Sequence, residues 1–151
     1  MSTTFIDFQN DKGFYIHEIF MQLAMHYINQ ELIKPIYTLT NKQTVLDSLQ
    51  LDIDGFTSGY LVLTWDNYLI NSSEEQTMIS VLQNVKTTLQ NKGAFISVSE
   101  LQAIPTQDWY FKVYYRKPFP TAELIKIIDV LIQMLQGTWT STNYDMKINY
   151  K

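Results

Sequence analysis

Cysteine is missing from all 151 residues. That excludes a disulfide framework and thiolate chemistry, so stability must come from packing. Glycine is scarce, at five residues, and no glycine-rich phosphate loop, GxSxG elbow, Walker lysine or kinase-like set can be found. The paired carboxylates Glu74 and Glu75 suit the start of a helix better than acid-base catalysis. The balance therefore leans away from an enzyme, with no cofactor and no metal expected. Arginine occurs once and the net charge is −4; since nucleic-acid affinity needs many phosphates neutralised, that role is disfavoured. Long apolar runs are also lacking. The longest tract, LIKIIDVLIQML, is too short for a bilayer and carries Lys126 and Asp129. The first residues, MSTTFIDFQND, have neither a basic start nor an apolar run of the secretory kind, so the expectation is a cytoplasmic protein that does not engage a membrane.

What is present is an apolar fraction of 46% with 14% aromatic residues, the balance of a folded chain. No linker or repeat divides it, so residues 1–151 read as one domain. Charge is uneven: residues 1–60 hold seven acids against three lysines, and residues 101–151 hold four acids against six bases. An acidic front suits a basic partner.

Periodicity predicts the elements. TTFIDF alternates as a first strand. Ile16, Ile19, Phe20, Leu23, Ala24, Tyr27 and Ile28 follow helical spacing, predicting a helix over about 13–33 that Pro35 closes. A brief helix capped by Thr40 or Asn41 should run through Ser48. Leu49, Leu51 and Ile53 then alternate before Asp54-Gly55 and the β-rich run Tyr60 to Trp65, predicting a hairpin. SSEEQTMISVLQNVKTTLQNKG reads as a helix capped by Ser72 or Ser73 and ended by Gly93. AFISVSEL and DWYFKVYYR read as strands. In the second, Trp109, Phe111, Val113 and Tyr115 face inward, while Tyr110, Lys112, Tyr114 and Arg116 face out. Thr121 caps a last helix that runs to Gln136 and is stopped by Gly137, and the tail alternates at Tyr144, Met146, Ile148 and Tyr150. The expected fold is α+β: a single domain with a mainly antiparallel sheet packed with three main helices.

Four stretches suggest function. HEIFMQLAMH opens like a zinc-protease helix, but Met21 stands where the second histidine belongs. His17 and His26, nine positions apart, fall roughly 180° apart on one helix, so they cannot share an ion there. Met21 and Met25 lie off the buried stripe, either covered by a second layer or forming an apolar anchor for a partner. LDIDGF fails the calcium-loop spacing, because its glycine and bidentate acid are misplaced, and reads as a turn. Asp47, Asp52 and Asp54 would then form an acidic patch. In WYFKVYYRKPF aromatics interleave with Lys112, Arg116 and Lys117 in the manner of single-strand binders, without the RNA-recognition order. The last helix shows an apolar arc of about 220°, which either another helix or a second copy of the chain must cover.

The leading expectation is a protein-binding module. Its most concrete form, in a bacterial setting, is an immunity protein that neutralises a cognate toxin, its acidic front half covering a basic active site. The partner-binding residues would be Asp47, Asp52, Asp54, Met21 and Met25. One alternative is a small-molecule-binding domain or enzyme with an aromatic-lined pocket using Trp109, Tyr114 and Trp139. The other is a structural subunit that forms a homodimer through residues 121–136.

Overall fold

A computed structural model describes residues 2–151. The chain opens with strands β1 (Thr3–Asp7) and β2 (Gly13–His17), paired antiparallel in register Thr3↔His17 to Asp7↔Gly13. Gln9, Asn10 and Asp11 all take left-handed φ between 55° and 58° in the connection, which Asn and Asp tolerate better than most residues. Alternation buries Thr4, Ile6, Phe14 and Ile16 and leaves Tyr15 and His17 outward. Gly13 is needed for the close approach of the two strands: a Cβ there would lie 1.9 Å from the Ile6 carbonyl oxygen. Gly13→Ala is accordingly expected to cost about 1–3 kcal/mol, read as a lower midpoint in urea unfolding.

The helix predicted over 13–33 is therefore shorter. Ile16 belongs to β2, and α1 (Glu18–Leu32) starts after His17. Every residue of α1 from Glu18 to Ile28 is buried. It packs against α2 (Lys42–Ile53), α4 (Ser72–Asn91) and α7 (Thr121–Gln136), which makes it the central helix, covered on all sides rather than along one stripe.

The hairpin predicted after Leu49 does not form. The second helix continues to Ile53, Asp54 caps its C-terminus, and Gly55 leaves it with φ 82°. Val45, Leu46, Leu49 and Ile53 are its buried apolar residues, while Leu51 is 49% exposed. The apolar spacing at 49, 51 and 53 belongs to a helical three-four pattern with an exposed leucine inside it. After α3 (Trp65–Tyr68), α4 is capped by Asn71, whose side chain accepts the Glu74 N–H at 2.9 Å. The cap lies one residue before the predicted serines.

Of the strand predicted at 94–101 only β3 (Phe95–Ile96) forms, paired antiparallel with β4 (Phe119–Pro120); Ser97 then caps α5 (Val98–Gln102). DWYFKVYYR is not a strand but contains helix α6 (Trp109–Tyr114). Asp108 caps it, accepting the N–H groups of Tyr110 and Phe111 at 3.0 and 3.3 Å. Phe111 and Tyr115, four apart, are buried on one side, and the Tyr115 hydroxyl donates to the Ile19 carbonyl at 2.7 Å. Trp109, expected on the same inner face, is 75% exposed. Burying two aromatics at helical spacing and capping the turn outweigh the strand propensity of the segment. In the tail only β5 (Tyr144–Asp145) forms, parallel to β2.

The architecture is α+β, but the sheets are small. One has the order β1-β2-β5 and the other pairs β3 with β4. Among the described residues four helices of twelve residues or more, not three, carry the core. The apolar arc of α7 is covered within the chain: α4 and α1 pack on it, Leu124, Ile127, Ile128, Leu131 and Met134 are buried, and Ile125 and Ile132 are half-buried. The covering that a dimer would supply is thus given by the chain itself. No helix of the described residues is long and apolar enough to cross a membrane.

Candidate functional site

The first turn of α1 carries Glu18 and, four residues on and on the same face, Gln22. Both side chains are buried, and both reach across to other elements. The Glu18 carboxylate accepts the Gly59 N–H with its two oxygens at 3.1 and 3.0 Å and the Leu61 N–H at 3.4 Å, which fastens the loop after α2 to the start of α1. A carboxylate at this end is also favoured by the helix dipole. The Gln22 amide donates to the carbonyls of Asp52 and Ile53 and to Asp108 Oδ2, the last at 2.9 Å. Segment 106–108 is tied to the end of α2 as well: the Thr106 hydroxyl donates to the Ile53 carbonyl at 2.7 Å, and the Gln107 N–H to Asp54 at 2.9 Å. Gly55 allows this approach, since a Cβ would stand 2.6 Å from Asp108 Oδ2.

Between these elements lies a cleft of about 390 Å³, walled by Glu18, Gln22, Gly55, Ser58, Asp108 and Tyr110. The chain next to these residues bears large exposed aromatics: Phe56 and Tyr60 in the loop, at 57% and 68%, and Trp109 and Tyr110 at the start of α6, at 75% and 42%. Behind it, Asp52 is 3% exposed. Burial pushes its carboxyl up to about 6, against the Thr57 hydroxyl that donates to it at 2.6 Å and with the Glu18 charge reinforcing the rise. Asp52 Oδ2 is buried with no hydrogen-bond partner among the described residues. The five ion pairs among those residues leave Glu18, Asp52 and Asp108 without a cation. The arrangement is an anionic recess with an aromatic rim, able to receive a cationic side chain by charge and by cation–π contact.

The sequence-derived site residues separate. Asp54 stands half-buried at the end of α2, where it accepts the Gln107 N–H, and Asp52 is buried behind the cleft, whereas Asp47 is exposed farther back on α2 and accepts from Gln43 at 2.8 Å. Met21 and Met25 are 0% exposed; they are core and offer no anchor to a partner, because the side of α1 that carries them lies within the packing of α1 against its neighbouring helices. Trp109, Tyr114 and Trp139 do not share a pocket. Trp109 adjoins the cleft, and Tyr114 lines another cavity with His17, Phe20 and Tyr150. Trp139 donates its indole N–H to the Gly13 carbonyl at 2.8 Å and meets Tyr144 edge-on. His17 precedes α1 and pairs with the Thr3 hydroxyl at 3.1 Å, while His26 is buried within the helix. No group of three or more His, Asp or Glu suited to a metal occurs among the described residues.

Sequence reasoning missed Glu18, Gln22 and Asp108, which lie up to 90 residues apart. The available signal was Asp108 as an N-cap residue, obscured by the strand-like run that follows it. Comparison of the chain with protein-family models, with curated proteins and with solved structures finds no match.

Proposed function

We propose that this chain is a protein-binding module that holds a basic segment of its partner in the cleft between α1, the loop after α2 and α6. The carrying observation is the pair of carboxylates in the cleft wall, Glu18 and Asp108, without a cationic partner among the described residues and with Asp52 buried behind them, beside four exposed aromatic side chains. Interfaces concentrate their binding energy in a few such aromatic anchors around a desolvated pocket. Lysine or arginine entering the recess supplies the missing charge, and the overall acidity steers a basic partner toward it. In a bacterial setting the concrete form is an immunity protein that covers the basic active site of a cognate toxin.

The test combines capture and mutation. Affinity purification from the cells that make the protein should recover a basic partner, and Trp109→Ala should weaken its binding by more than about 30-fold, or about 2 kcal/mol. Because Trp109 is 75% exposed, the thermal midpoint of the variant should stay near that of the parent. Equal affinity of variant and parent would remove the cleft from the interface.

A further inference from the structure

Where α1 meets the end of α4 and the start of α5, His26, Tyr27, Lys92 and Glu100 form a second polar cluster. Glu100 Oε2 accepts the Tyr27 hydroxyl and, at 2.8 Å, the Lys92 ammonium. Lys92 also stands 5.5 Å over the Tyr27 ring, which meets the His26 ring at 4.9 Å between centroids. These contacts hold Oε2 and leave Glu100 Oε1 without a hydrogen bond from the described residues.

His26 is the odd member. It is 7% exposed and has no hydrogen bond to the described residues, yet neither ring nitrogen is sealed from the surface. Burial above all lowers its pKa to about 4, with the Glu100 charge opposing and the Lys92 charge adding. At neutral pH the ring is uncharged, and in either tautomer one nitrogen offers a lone pair. The ring nitrogens, open to the surface and unpaired with protein, are free to meet a ligand. The ring lines a cavity of about 310 Å³ that also exposes Lys92 and Glu100, with Ala103, Ile104 and Pro105 as apolar wall. That volume is at the lower end of small-ligand sites.

We propose that this cavity binds a small zwitterion, a free α-amino acid with a compact apolar side chain. The ligand ammonium lies against Glu100 Oε1 and the imidazole lone pair, the carboxylate against Lys92, and the side chain against Ala103, Ile104 and Pro105. The wall itself selects a zwitterion, because it presents both signs of charge side by side. A simple carboxylate meets repulsion from Glu100 and a simple amine meets repulsion from Lys92.

The experiment follows the His26 ring resonances of the full chain by NMR during titration with L-alanine and L-valine, and with propionate and propylamine as singly charged probes. The expected result is a saturable shift with a Kd below about 1 mM for at least one amino acid, at least about tenfold weaker for both controls. Ala103→Trp, at an exposed position, fills the cavity without altering the polar groups and should abolish the shift in a folded protein. Absence of saturation up to about 20 mM, equal response to a singly charged probe, or full binding in Ala103→Trp would each overturn the proposal.

Discussion

Met25→Ala is expected to lower the unfolding free energy by about 2–5 kcal/mol, and Met21→Ala by a similar amount. Both side chains are 0% exposed on a helix enclosed by α2, α4 and α7. Truncation therefore removes the transfer free energy of three heavy atoms and leaves a cavity that close-packed neighbours cannot fully collapse. Urea denaturation checks the result through the midpoint at unchanged slope. Loss of partner affinity in variants of undiminished stability would instead return the two methionines to an interface. The contrast with Trp109→Ala is informative, because one substitution should act on stability alone and the other on binding alone.

The second large effect is a pair of opposed pH dependences. His26 has a folded pKa near 4 against an ordinary histidine value of 6.5. Between those values the unfolded chain binds a proton that the fold refuses, so stability falls as pH drops, by about 2–3 kcal/mol in total. Asp52 has a folded pKa near 6 against an ordinary aspartate value of 3.8. Across that window the fold takes up a proton that the unfolded chain does not, so stability rises as pH drops, by about 2–3 kcal/mol in total. The two effects oppose each other over nearly the same range, and the parent protein should show a shallow profile there.

Each single variant should unmask the other group. Asp52→Asn is expected to be more stable than the parent at pH 8, by about 2–3 kcal/mol, and to lose stability more steeply toward pH 4. His26→Gln should show the reverse, gaining on the parent as the solution is acidified. Denaturation midpoints measured against pH for the three proteins provide the check. Other carboxylates titrate alike in all three and cancel in the differences. An Asp52→Asn profile parallel to that of the parent would mean that the buried carboxyl titrates as it does in the unfolded chain.

Legibility in the sequence followed the range of the interactions. The helix that became α4 was readable because its stripe of Met78, Val81, Leu82, Val85 and Leu89 and its stop at Gly93 are local, and Gly93 takes φ 86° as such a stop requires. The last helix kept its end at Gln136 and its stop at Gly137 for the same reason, although Thr121, expected as its cap, is its first residue and Pro120 stands at the cap position. DWYFKVYYR misled because alternation and helical spacing coincide when aromatics crowd a short segment. The choice fell to which residues found a core, and the exposed Trp109 beside the buried Phe111 and Tyr115 records it.

The cleft was not legible at all. Its carboxylates come from α1, the end of α2 and the cap of α6, and each looks in isolation like an ordinary solvated acid. Composition and local pattern by themselves determined an acidic α+β chain without thiols, with its long helices located and the stops at Gly93 and Gly137 in place, because those depend on neighbours within a turn or two. Only the tertiary structure decided that Met21 and Met25 are core, that 108–116 is helical at its centre, and that Glu18 and Asp108 meet in one cleft wall without a cation among the described residues. Burial and the meeting of distant charges are properties of the packed chain, and no local window of sequence contains them.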